Sequence, residues 1–113
     1  MSKASFINQL SIPVIAAPMF LISGPQLVIE CCKNGIVGTF PALNQRTSEG
    51  FEAWIIEIKA ALLKYEKDTG NIPAPFGVNL IVHKSNPRLE ADLAICVKHK
   101  IPLIITSLGA VSE

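Results

Sequence analysis

Apolar residues follow two patterns along this chain, short uninterrupted runs and longer stretches with helical spacing. Four short runs predict strands buried on both faces, at residues 14–17, 36–40, 76–82 and 102–106. The first run belongs to the stretch 12–19, IPVIAAPM, and a proline ends it. This ending is compatible with a buried strand whose carboxyl end lies at a functional site. Asn79 interrupts the third run, and because an unpaired buried amide costs about 1 to 3 kcal/mol, it needs a partner.

Helices are predicted between these strands. Ser23, Gly24 and Pro25 favour a helix at residues 25–33, with Leu27, Val28 and Cys31 on one face. Ser48 is the predicted cap of the longest helix, whose apolar residues form one stripe of period 3.6: Phe51, Trp54, Ile55, Ile58, Leu62 and Tyr65. Trp54 and Tyr65 are interpreted as core anchors rather than ligand stackers, because both lie on that stripe.

The third predicted helix starts at Asn86 and Pro87, by N-cap and first-turn preferences, and ends at Lys100. Its spacing directs four residues inward, Leu89, Leu93, Cys96 and Val97, and four outward, Arg88, Glu90, Asp92 and Lys98.

The element order is therefore βαβαβαβ, which predicts an α/β fold with parallel strands. A closed (β/α)8 TIM-type barrel needs about 250 residues, and an isolated sheet of four apolar strands would expose two edges. We therefore expect residues 1–113 to be the N-terminal half of one barrel domain, its first four strands and three helices.

Composition narrows the classes of partner. Half the residues are apolar and 17% are charged, so we expect the chain to bury apolar surface against another polypeptide, by self-association or with a complementing C-terminal half. The net charge of +1, without a basic stripe, argues against nucleic acid as a partner.

No apolar run approaches the ~20 residues of a membrane span and no signal peptide is evident, so a cytoplasmic protein is expected. Three cysteines, Cys31, Cys32 and Cys96, are predicted to be buried reduced thiols rather than disulfide or metal ligands.

Small or polar residues end three of the predicted strands: Ala17-Pro18-Met19, Asn79, and Thr106-Ser107-Leu108-Gly109. They would converge at the carboxyl rim of a parallel barrel, where such folds bind cofactors. The polar loop 41–47 also follows a strand, the position where β/α folds place site residues. No P-loop, GxGxxG, HExxH or GxSxG pattern is present.

Four segments of the sequence carry a family resemblance: PVIAAPM, a helix followed by NGIVGTF, FGVNL, and IPLIITSLG. Together they resemble the flavin-dependent nitronate monooxygenases, formerly called 2-nitropropane dioxygenases. The resemblance implies an FMN-binding β/α barrel that oxidises nitronates, the anions of nitroalkanes, with O2. It places Ala17, Pro18 and Met19 against the isoalloxazine ring and gives Asn79 a hydrogen bond to the flavin. Thr106 and Ser107 are further candidates for contact with flavin or substrate, or else caps of a following helix. Asn79 as a structural amide and Met19 as an ordinary core residue remain alternatives.

The catalytic base of that family is a His in a GGHxG-like segment of the later barrel half, and Gly-rich loops there hold the flavin phosphate. Neither segment occurs in the sequence, so the resemblance implies a catalytic His beyond residue 113 and an inactive 113-residue chain. His83 and His99 lie in a different context and are expected to have no direct role; His99 follows a helix whose dipole suits a cation.

Three other functions are compatible with the sequence. Flavin-dependent enoyl-acyl carrier protein reductases have similar opening strands, and a substrate assay separates the two enzymes. A truncated, non-catalytic chain that acts by association would purify colourless, as would a phosphate-binding barrel without flavin.

Overall fold

Three parallel strands organise residues 14–109, the part of the chain that a computed structural model describes. In chain order the elements are α1 (Pro25–Lys33), β1 (Gly38–Pro41), a 3-10 turn (Ala42–Asn44), α2 (Ser48–Thr69), β2 (Phe76–Ile81), α3 (Leu89–Lys98) and β3 (Leu103–Ser107). The strand order in the sheet is β1-β2-β3. The predicted α/β class and parallel pairing are confirmed, and the described sheet is open.

Strand alternation assigns side chains to the two faces of the sheet. Phe40, Val78 and Leu80 belong to one buried apolar cluster that also contains residues of all three described helices. The helices therefore pack on the same face of the sheet. The intervening residues, Thr39 on β1 and Asn79 on β2, face the opposite side, and Asn79 is in register with Pro41 and Ile105.

The apolar cluster is centred on α2. Its residues Phe51, Ile55, Ile58 and Leu62 are buried, as the predicted stripe requires. Trp54 packs edge-on against Phe40 at 5.7 Å between ring centroids, which confirms it as a core anchor. Gly38 lets α1 approach β1, since a Cβ there would lie 2.7 Å from the carbonyl oxygen of Val28.

The first predicted strand forms less completely than expected. Residues 14–16 make a single parallel bridge, Ile15 with Val37, in which Ala16 N–H donates to the carbonyl of Val37 at 2.8 Å. Val14 and Ile15 are each 44% exposed, so the prediction of burial on both faces is wrong. The physical reason is that, among residues 14–109, this segment pairs with one neighbour, the chain at Val37. Residues 12 and 13 lie outside the described residues.

Helix α1 has the predicted bounds, but its buried residues are Val28 and Cys32. Leu27 is exposed and Cys31 is half-buried, so the predicted inward face is displaced around the helix. The cap of α2 is Thr47 rather than Ser48, since the Thr47 hydroxyl accepts from Gly50 N–H at 3.0 Å.

Helix α3 begins at Leu89, three residues after the predicted cap Asn86 and two after Pro87. Asn86 instead closes a local turn, because its Oδ1 accepts from Arg88 N–H at 3.0 Å. The inward face is partly wrong: Cys96 is buried and Leu89 packs against the core, whereas Leu93 and Val97 are exposed. Asp92, expected to face outward, is fully buried.

Candidate functional site

The carboxyl ends of the parallel strands lie along one edge of the sheet, and the loops after them carry most of the predicted site residues. Residues 17–19 follow the bridged segment, while Pro41, Ile81 and Ser107 end β1, β2 and β3. We call this region the carboxyl edge. It is the position at which parallel β/α folds bind ligands.

Asn79 and Ser107 meet on the side of the sheet opposite the helices. Asn79 Nδ2 donates to the carbonyl of Ile105 at 2.9 Å and to Ser107 Oγ at 3.1 Å. Because the Ile105 carbonyl can only accept, the amide nitrogen must face it. Asn79 therefore has the partner that its burial requires, and its amide joins β2 to β3.

Two polar groups of this pair retain bonding capacity. Within the described residues, Asn79 Oδ1 accepts no hydrogen bond. The Ser107 hydroxyl accepts from Asn79 and still has its own proton to donate. The pair thus presents one acceptor and one donor side by side, both neutral, which suits binding and orienting a ligand rather than proton transfer.

Thr106 is separated from the other candidates. It is in register with Leu80, whose side chain belongs to the helix-side cluster, so alternation puts Thr106 on that face. The structure brings Asn79 and Ser107 together and leaves Thr106, which is exposed, on the far side of β3.

The segment of Ala17, Pro18 and Met19 is held by its backbone. The carbonyl of the preceding Ala16 accepts from the Thr39 hydroxyl, and Met19 N–H donates to Ser23 Oγ at 2.8 Å. Met19 is 41% exposed, so it is not an ordinary core residue among the described residues. Ala17 is also exposed and Pro18 half-buried, and the three present a small apolar surface.

Sequence reasoning did not single out Asn44, which ends the 3-10 turn after β1. Its side chain makes three hydrogen bonds to backbone groups of residues 19, 21 and 23. The only sequence signal was the polar loop 41–47, where many residues are equally polar.

A second missed feature is the buried pair of Arg88 and Asp92. Arg88 Nη2 lies 3.0 Å from Asp92 Oδ2, and Ser48 Oγ donates to Asp92 Oδ1 at 2.8 Å. Arg88 also donates to the carbonyls of Gln45 at 2.5 Å and Ala42 at 3.3 Å. The pair therefore ties the loop after β1 and the start of α2 to the start of α3.

Among the described contacts, neither histidine is hydrogen-bonded to Asn79 or Ser107. His83, in the exposed loop after β2, has its Nδ1 2.8 Å from Ser85 Oγ. His99 follows α3 and its Nε2 lies 2.7 Å from Glu52 Oε2. Hydrogen bonds from Lys98 and then His99 lower the pKa of the Glu52 carboxyl below its ordinary 4.5.

The cysteines show no sign of a reactive centre. All three are free thiols, and Cys32 and Cys96 are buried. Burial raises the pKa of both thiols to about 11, so they stay protonated at neutral pH. Cys31 is only half-buried, which corrects its predicted burial. In residues 14–109, no group of His, Cys, Asp and Glu side chains could hold a metal ion.

Two surface cavities lie away from the Asn79–Ser107 pair. One of about 420 Å³ is lined by Gly24, Pro25 and Trp54, between the start of α1 and α2. The other, about 410 Å³, includes Leu62, Phe76 and Pro102 and lies at the amino ends of β2 and β3.

No protein-family model matches the chain, and no curated protein is similar to it at a significant level. Across the described ranges of the chain, none of the helices combines the length and apolarity needed to cross a bilayer.

Proposed function

We propose that this chain forms part of an FMN-dependent nitronate monooxygenase, which oxidises alkyl nitronates with molecular oxygen. The observation that carries the proposal is the pairing of Asn79 with Ser107 at the carboxyl edge, on the side of the sheet opposite the helices. These residues come from two of the four segments on which the family resemblance rests.

The strand order supports the barrel part of this proposal. Sequential parallel strands with helices on one face are the arrangement of a β/α barrel, whose interior is the other face of the sheet. A doubly wound sheet instead reverses its strand order and has helices on both faces. In a barrel, Asn79 and Ser107 would face the interior near its carboxyl rim.

The polar groups present fit a flavin ring edge. The pyrimidine edge of an isoalloxazine alternates carbonyl acceptors with an N–H donor. Asn79 Oδ1 can accept from such a donor, and the Ser107 hydroxyl can donate to a neighbouring carbonyl. Pro18 and Met19 would supply the apolar wall that a ring face requires.

Bound FMN would supply the electron-accepting chemistry of nitronate oxidation. In the proposal, Asn79 and Ser107 orient the ring edge, and Ala17, Pro18 and Met19 exclude water from one ring face. In the proposal, proton removal from neutral nitroalkanes belongs to the His of the GGHxG-like segment that the resemblance implies, and not to His83 or His99.

The test is FMN titration of the 113-residue chain combined with a complementing barrel half, because the Gly-rich loops that hold the flavin phosphate in that family do not occur in this sequence. Binding is followed by flavin fluorescence. Asn79→Ala should weaken FMN binding by 1 to 3 kcal/mol, a factor of about 5 to 150, because one ring-edge contact and the orientation of Ser107 are lost. Asn71→Ala, which alters an exposed loop amide, is the matched control and should bind as wild type does. A complemented wild-type chain without FMN affinity, or equal affinity in the Asn79 variant, would contradict the proposal.

Oxygen consumption tests the reaction assigned to the protein. The chain alone should consume no oxygen with a nitronate, and addition of a complementing barrel half should produce turnover. Turnover of a nitronate by residues 1–113 alone would contradict the expectation that this chain is inactive. Turnover of a neutral nitroalkane, which must first lose a proton, would contradict the placement of the catalytic His. Activity restored only toward an enoyl thioester would indicate a reductase instead.

A further inference from the structure

Residues 19–23, here named the 19–23 turn, form a tight loop at the carboxyl edge whose apolar side chains point into solvent. Phe20, Leu21 and Ile22 are between 65% and 77% exposed. Burial therefore cannot be what holds this turn. Leu21 also has a φ of 65°, a left-handed conformation that a leucine adopts only when its surroundings impose it.

Asn44 supplies that constraint from a different loop. Its Nδ2 donates to the carbonyls of Met19 at 3.1 Å and Ser23 at 2.8 Å. Its Oδ1 accepts from the N–H of Leu21 at 2.9 Å. The three contacts use every polar atom of the amide and reach the first, middle and last residues of the turn.

The remaining contacts of the turn are local. Ser23 N–H donates to the Met19 carbonyl at 2.9 Å, and Ser23 Oγ accepts from Met19 N–H. Ile22 N–H also donates to the Met19 carbonyl, at 3.2 Å. These local contacts close the loop but leave the Leu21 N–H without a partner inside it. Among the described contacts, only Asn44 bonds to the N–H of Leu21, the residue with the left-handed backbone.

We infer that Asn44 is a positioning residue, which fixes the 19–23 turn and through it the place of Met19 at the carboxyl edge. The part of this inference that concerns the flavin rests on the proposed function. Asn44 reaches the turn across 21 to 25 residues of sequence, so the loop after β1 sets the geometry of the segment that precedes α1.

Asn86 offers a matched control, because it is an asparagine in the loop after the next strand. Its Nδ2 donates to the carbonyl of Ile81 at 2.8 Å and its Oδ1 accepts from Arg88 N–H. Both partners lie within five residues of Asn86. An Asn86→Ala variant therefore removes an equivalent amide at the same edge without touching the 19–23 turn.

The experiment is residue-resolved amide hydrogen exchange by NMR on the full chain, wild type, Asn44→Ala and Asn86→Ala. In Asn44→Ala the Leu21 amide should exchange at least about tenfold faster, while the amides of β2 and α2 keep their wild-type rates. Asn86→Ala should leave Leu21 unchanged. An unaltered Leu21 rate in Asn44→Ala, or an equal increase in Asn86→Ala, would overturn the inference.

Asn44→Asp is the second variant, in case the alanine variant does not fold. Aspartate keeps an acceptor for Leu21 N–H but replaces the donor that faces two carbonyls. Leu21 should therefore retain more protection in Asn44→Asp than in Asn44→Leu. Equal loss in both variants would show that the amide contact to Leu21 is irrelevant.

A flavin readout separates the two proposals. If Asn44 positions Met19 against the ring, Asn44→Ala should weaken FMN binding at least fivefold and alter the visible circular dichroism of the bound flavin. If Asn44→Ala opens the turn but leaves the flavin affinity and spectrum unchanged, Asn44 does not position Met19 against the ring. The proposal that the chain binds FMN would not be affected by that result. A wild-type chain that binds no FMN even with a complementing barrel half would refute the proposed function, and the exchange rates would still decide whether Asn44 holds the turn.

Discussion

The helix side of the sheet and its carboxyl edge are held by different forces. On the helix side, one apolar cluster of residues such as Phe40, Ile55 and Val78 excludes water almost completely. At the carboxyl edge, directed polar contacts join segments far apart in sequence, such as Asn44 to the 19–23 turn and Asn79 to Ser107. Burial is non-directional, so many apolar sequences would satisfy the first region. Hydrogen bonds depend on the position of single atoms, so few side chains would satisfy the second.

Asp92 should show the largest sensitivity to a single substitution. Asp92→Ala should cost about 3 to 5 kcal/mol of unfolding free energy, because it leaves the Arg88 guanidinium, mostly buried, without its carboxylate and Ser48 without its acceptor. Chemical denaturation followed by far-ultraviolet circular dichroism measures the loss.

Asp68→Ala is the control for that experiment. Asp68 pairs with Lys64 at the same four-residue spacing and at a shorter distance, 2.6 Å, but both side chains are largely exposed. Its loss should cost well under 1 kcal/mol. Equal losses of unfolding free energy in Asp92→Ala and Asp68→Ala would contradict the claim that the buried pair contributes more to stability than the surface ion pair.

The helix side is tested by two adjacent isoleucines of α2. Ile55 is fully buried, whereas Ile56 is 54% exposed. Ile55→Ala should cost about 2 to 4 kcal/mol through lost burial and the cavity that remains, and Ile56→Ala less than about 1 kcal/mol. Both replace the same side chain in the same helix, so propensity changes cancel in their difference. Equal unfolding free energies for the two variants would show that α2 does not pack as described.

Much of the helix side could be predicted from the sequence because its signals are local. The stripe on α2 identified its four buried residues, and Pro25 marked the start of α1. Errors arose where two local preferences competed. Thr47 and Ser48 are both good caps, and Asn86 suits a tight turn as well as an N-cap, so sequence alone did not decide between them.

The carboxyl edge was less predictable because its contacts are long-range. The need of Asn79 for a partner followed from its place in an apolar run, but the identity of Ile105 and Ser107 depended on the register of β2 with β3. Asp92 was assigned to solvent because charged residues usually lie there, and its partners Arg88 and Ser48 converge only after α2 and α3 pack together. Asn44 carried no periodic signal at all.

The smallest expected effect concerns Glu52, which pairs with Lys98 and His99 on the outer surface between α2 and α3. The pKa of its carboxyl is lowered in the folded chain, chiefly by the Lys98 hydrogen bond and then by His99. Its contribution to stability is therefore present above the ordinary pKa of 4.5 and is lost as the pH falls through the lower folded value. In Glu52→Gln, the urea midpoint should change less between pH 7 and pH 3 than it does in the wild type. Glu49→Gln, in the exposed first turn of the same helix, is the charge-matched control and should keep the wild-type pH dependence. If Glu52→Gln also kept it, the surface ion pair would not contribute to the folding of either region.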